Sequence, residues 1–148
     1  MKNLWTEINE RIPEYFGFFS QKYGLEFVKL SALKTAIVGN KFAIIISVGR
    51  FSVDVLYATR IEGRREVLQC GNFLAEKYSD EDRQNLLKSK GAENIILNNL
   101  KIIASGLDSK WGTLLRGEII WIKDYRKSKW YSIVNLTQEE NEVLWRLI

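Results

Sequence analysis

Apolar side chains at the start of the chain recur every three or four residues: Leu4, Trp5, Ile8, Ile12, Tyr15, Phe16, Phe19 and Tyr23. That spacing gathers them on one stripe of an α-helix, with Gly24 as its C-terminal stop. Pro13 either kinks this helix or opens a second one in its first turn. The period then changes to two. Leu25 and Phe27 alternate with Glu26 and Val28, Ala36-Ile37-Val38 leads into a Gly39-Asn40 turn, and residues 42–48 are rich in β-branched side chains. After a Gly49-Arg50 turn, Phe51, Val53, Val55 and Tyr57 face one way while Ser52 and Asp54 face the other. Turns this short join antiparallel neighbours, so the pattern predicts a four-stranded antiparallel meander. Residues 42–46, apolar on both faces, belong at its centre.

Beyond Gly63 the spacing returns to that of helices. Val67, Leu68, Phe73, Leu74 and Tyr78 predict a helical or broken-helical segment. Ser79-Asp80-Glu81-Asp82 opens a short helix that stops before Gly91, with Ser79 as the cap and Asp82 answering it. Ile95, Ile96, Leu100 and Ile103 form the stripe of the next helix, closed by Gly106, and Asp108 caps another carrying Trp111, Leu114 and Leu115. Residues 118–126 fit a strand or a buried helix, and residues 118–136 stay open between helix, hairpin and loop. Thr137-Gln138-Glu139-Glu140 is a capping box for a final helix with Val143, Leu144 and Leu147 inward. The fold class is α+β: an N-terminal helix, the meander, then a helical half packed on the sheet.

The 148 residues, 46% of them hydrophobic, suit one domain over 1–148 with a core of its own. The chain contains no histidine and one cysteine, Cys70. The Ser-His-Asp and Cys-His nucleophile systems and the helical two-histidine zinc site are therefore excluded. There is no Walker loop and no GxGxxG turn, and the glycines stand singly. Glu26, Asp54 and Glu62 are candidate catalytic carboxylates, Asp54 on a strand where it can be buried beside Arg60 or Arg83, but spacing pairs none of them. The expectation is a binding protein with no catalytic residue, cofactor or metal. A lone cysteine, a leader-free start at Met1-Lys2-Asn3-Leu4-Trp5-Thr6-Glu7 and no long apolar run point to the cytoplasm rather than a membrane.

Net charge is +4 and diffuse. Its one local concentration is Trp121 to Tyr131, where basic side chains interleave with two Trp and two Tyr. One reading is a surface for single-stranded nucleic acid, with aromatic stacking and phosphate contacts. The plainer one puts Trp121 and Tyr125, four apart, into the core. Arg126, Lys129, Trp130 and Tyr131 are then the exposed set, and they are the candidate partner-binding residues.

The order of motifs carries a resemblance. Val53, Val55 and Tyr57 precede Phe73-Leu74; Ser79-Asp80-Glu81-Asp82-Arg83 follows, then a helix over residues 93–104 ending in Ser105-Gly106-Leu107. Leu114-Leu115-Arg116-Gly117-Glu118 comes next, with Trp121 and Tyr125 beyond. Over roughly residues 50–126 this layout resembles the immunity proteins that bacteria keep against contact-dependent growth-inhibition and related polymorphic toxins. The resemblance implies a cytoplasmic, non-catalytic protein whose partner is a cognate toxin domain. It transfers no binding residues, because immunity surfaces differ between pairs. Many such proteins are acidic against basic nucleases, whereas this chain is mildly basic, which constrains its partner to be acidic or neutral at the contact or to meet the local acidic patches.

Overall fold

A computed structural model describes residues 3–88 and 90–148. Met1 and Lys2, on which part of the expectation of no leader rests, and Ser89 of the segment expected to be a short helix, lie outside them. The N-terminal stripe is divided into α1 (Leu4–Glu10), α2 (Ile12–Phe16) and α3 (Phe18–Tyr23). Pro13 sits in the first turn of α2, where its missing N–H costs nothing. Gly24 ends α3 in the left-handed region (φ 68°), returning its amide to Ser20 O.

The chain then builds β1 (Glu26–Ser31), β2 (Lys34–Gly39), β3 (Phe42–Val48), β4 (Val53–Ile61) and β5 (Arg64–Gln69). Among the described residues these form one antiparallel sheet in the order β1-β2-β3-β4-β5, with the doubly apolar β3 at its centre as expected. The meander has five strands rather than four. Glu62 and Gly63 both have positive φ (53° and 80°) and make a two-residue turn that pairs Ile61 with Arg64. From there Val67 points to one face and Leu68 to the other, so the spacing expected to be helical is that of a strand buried on both sides.

Two cores result. One face of the sheet (Ile37, Ile44, Ile46, Val55, Tyr57, Leu68) meets α1 to α3 and a second helical group. That group comprises α4 (Gly71–Ala75), α5 (Ala92–Lys110), α6 (Gly112–Leu115) and α7 (Trp121–Lys127). The opposite face (Val38, Ala43, Ile45, Leu56, Ala58) is covered by Leu136 and by α8 (Gln138–Leu147). The helical half is thus not all on one side. The Thr137 capping box forms as expected, and Glu140 also takes Lys34 Nζ at 3.1 Å. Burial would raise the Glu140 carboxyl, but the Thr137 amide and Lys34 hold it below its usual range. Leu144 and Trp145 face inward, while Val143 and Leu147 are exposed. The rotation follows from Trp145, whose ring lies under Arg60 and Arg65 and whose Nε1 donates to Asn141.

Two further differences are tertiary in origin. The helix expected to close at Gly106 runs on to Lys110, and Asp108 lies inside it, accepting from Tyr23 OH at 2.7 Å and Lys22 Nζ at 2.7 Å. Ile95, expected on its stripe, is exposed, and Leu97 and Leu107 are buried instead. Gly106 is required because the Tyr78 ring lies against it: a Cβ there would stand 2.3 Å from two ring carbons. In an open helix Gly→Ala gains about 1 kcal/mol. Here Gly106→Ala should instead cost about 1–3 kcal/mol, as overpacking does, read from the urea midpoint. A gain would show that the Tyr78 ring swings aside freely. The helix expected from Ser79 is only a 3₁₀ turn, Asp80–Arg83. The backbone of the next two residues explains its brevity: Gln84 is extended and Asn85 has positive φ (59°), neither of which continues a helix. Beyond them the Asn98 side chain accepts from Leu87 N (2.8 Å) and donates to Leu87 O (3.0 Å).

Candidate functional site

The residues left open at 118–136 resolve into α7 and an extended return. Trp121, Ile122 and Tyr125 are buried on α7. The Tyr125 hydroxyl accepts from Ser132 N (2.9 Å) and stands 2.8 Å from Gln69 O and 3.0 Å from Ser132 O, one of which takes its proton. Residues 132–134 pair with the outer edge of β5 through Gln69 N to Ser132 O and Val134 N to Val67 O. This closes an edge that would otherwise offer free strand hydrogen bonds.

That return builds one wall of a cleft of about 550 Å³ at the end of the sheet. Residues 52–55 and the start of α4 form its base, Asn99, Ile102 and Ile103 of α5 a second wall, and Lys129, Trp130 and Tyr131 the third. Tyr131 is exposed with its ring edge-on to Tyr125 (5.6 Å). Trp130 is half-buried and donates Nε1 to Glu76 at 2.7 Å, and Lys129 Nζ sits 4.8 Å from the Trp130 ring centre. Arg126 does not belong to this group. It points away along α7 and donates to Glu66 at 2.9 Å. The expected set of four is therefore split, three residues in the cleft and one outside it.

Sequence reasoning missed the rest of the lining. Gln69, Asn72 and Asn99 reach the cleft from β5, α4 and α5, and among the described residues none of these amide side chains has a hydrogen-bond partner. Arg83 joins them, one nitrogen on the carbonyls of Tyr78 (3.3 Å) and Ser79 (3.1 Å). Asp54 is exposed here rather than buried, and Arg83, not Arg60, shares its cleft. Tyr78 also lines it, 9% exposed, with a hydroxyl that no described group satisfies. Burial pushes that phenol well above its usual range, so it keeps its proton and is a donor. Isolated amides carry little signal in a sequence, and their convergence depends on the approach of three distant segments.

The other candidate groups lie outside the cleft. Cys70 is fully buried, its thiol on Val55 O at 3.7 Å and pushed far up by burial. Glu26 and Glu62 do not reach the cleft. Among the described residues no group of three Cys, Asp or Glu side chains is placed to hold a metal ion, and no helix is long and apolar enough to cross a membrane. The cleft can therefore grip a polar, protruding shape with amides, two cations, one carboxylate and an aromatic wall. Compared with family models, curated proteins and solved structures, the chain matches none.

Proposed function

We propose that this protein is a cytoplasmic, non-catalytic immunity protein that binds a cognate bacterial toxin domain and occludes its active site. The observation that carries the reading is the cleft: polar groups without internal partners, backed by Trp130 and Tyr131, on a sheet packed on both faces. Donors and acceptors on rigid elements with no partner inside the protein favour binding, because ordering costs little and each new hydrogen bond displaces water without breaking an internal one. A pocket flanked by aromatic and cationic anchors at the centre of a standard-size interface is where binding energy concentrates. The layout over residues 50–126 supports the same reading. Single-stranded nucleic acid is the second reading, but two of the four aromatic rings it needs, Trp121 and Tyr125, are in the core.

The reading expects a toxin gene next to the one for this chain, and the test is co-expression and binding with the C-terminal domain of that toxin; an unrelated neighbour overturns it. Wild type should rescue growth, and Tyr131→Ala, Trp130→Ala and Lys129→Glu should each weaken binding by on the order of tenfold or more. Arg126→Glu, outside the cleft, should cost less. Unchanged affinity in all three cleft variants would place the contact elsewhere. Binding to single-stranded RNA or DNA that weakens steeply with salt would favour the second reading.

A further inference from the structure

A second concave surface, sharing no residue with the cleft, lies along α7. Ile61, at the end of β4, meets Ile119, Ile120 and Ile122 around a groove of about 390 Å³. Ile120 is 83% exposed and Ile119 44%. Isolated exposed isoleucines are ordinary, but adjoining ones around one hollow mark a contact site. Three cations border it, Lys123, Arg126 and Lys127, whose spacing of three and four places them along one face of α7. Among the described residues Lys123 and Lys127 have no carboxylate partner, and Arg126 has only Glu66.

We propose that this groove docks an acidic, aliphatic segment of a partner protein: a branched or leucine side chain in the hollow, with carboxylates flanking it against the cations. Charge complementarity selects this occupant. A second copy meeting through the same patch would set Lys123 and Lys127, neither with a carboxylate partner among the described residues, against their own copies, which is repulsive. A flat bilayer offers nothing shaped to fill a hollow of about 390 Å³, and it is left as an outcome of the test. The proposal is independent of the cleft, and Arg126 takes part in it rather than in the set expected from sequence.

The experiment is fluorescence anisotropy with a labelled amphipathic peptide of about 12 residues, leucines at i, i+3, i+4 and i+7 and glutamates elsewhere. Wild type should bind it saturably, more weakly as salt rises, and should not bind the same peptide with lysines for glutamates. Ile120→Asp, and Lys123→Glu with Lys127→Glu, should each weaken binding by about tenfold or more. Lys129→Glu, in the cleft, should leave it unchanged, so failure here does not touch the toxin-binding reading. Ile120 is exposed, and a wild-type circular dichroism spectrum for Ile120→Asp shows that the variant is folded. The proposal is overturned if the acidic peptide does not bind or binds Ile120→Asp equally well. It is also overturned by a wild-type dimer that Ile120→Asp abolishes, or by anionic phosphatidylserine vesicles capturing the protein where the peptide does not.

Discussion

Asp82→Ala should lower the stability of the folded state by about 3 kcal/mol. The carboxylate is 4% exposed and accepts from Ser79 N (2.9 Å), Ser105 Oγ (2.8 Å) and Ser109 Oγ (2.7 Å), with Lys110 Nζ at 3.4 Å. Removing it takes away the shared acceptor of Ser79, Ser105, Ser109 and Lys110 between the 3₁₀ turn and α5. Burial alone would raise its pKa, but these donors outweigh burial and hold it far below the usual carboxylate range. The sign of the pH dependence follows. A carboxylate with a depressed folded pKa contributes stability above its unfolded value, near 4, and that stability is lost as pH falls through the folded value. Urea midpoints of the wild type should fall below about pH 4, and Asp82→Asn should flatten that decline. A loss under about 1 kcal/mol in Asp82→Ala would mean that the serines and Lys110 turn to water at little cost.

Trp121→Ala should cost about 3–5 kcal/mol, and is the largest single loss expected in the core. Its ring centre lies 5.1 Å from Tyr57, 5.9 Å from Tyr125, 6.2 Å from Trp111 and 6.3 Å from Phe73, so it joins the sheet to α4, to the junction of α5 and α6, and to α7. The indole N–H is buried without a partner among the described residues. Trp121→Phe should therefore lose packing but no hydrogen bond, costing under about 1.5 kcal/mol in the same urea experiment. Equal losses in the two variants would show that the N–H is bonded after all. The same burial bears on function, since Trp121 and Tyr125 cannot both hold the core and stack on unpaired bases.

Particular elements show how legible the molecule is from its residues. The central place of β3 follows from residues 42–46 being apolar on both faces, and the Thr137 box from two side chains three positions apart. β5 was hidden because its turn uses Glu62 at positive φ, where Asn, Asp or Gly is the usual sign. Gly106 reads as a stop until Tyr78, 28 positions earlier in the chain, is seen to occupy the space a side chain would fill. The inward face of α8 depends on Arg60 and Arg65, which lie on the far side of the molecule in sequence. At the candidate site, Lys129, Trp130 and Tyr131 were legible as exposed aromatic and basic residues next to a buried pair, while Gln69, Asn72, Asn99 and Tyr78 were not.

By itself the sequence determined the α+β class, the antiparallel meander, the central strand, two helix starts and the absence of histidine chemistry. All of these rest on interactions between residues a few positions apart, or on which side chains exist at all. Tertiary structure alone decided the fifth strand, the continuation of α5 through a glycine, the face that α8 presents, and the division of the basic-aromatic segment between a cleft and a groove. The physical reason is common to them: each is settled by a contact between segments distant in the chain, where a ring filling a gap or a cation over an indole outweighs the local preference that periodicity reports.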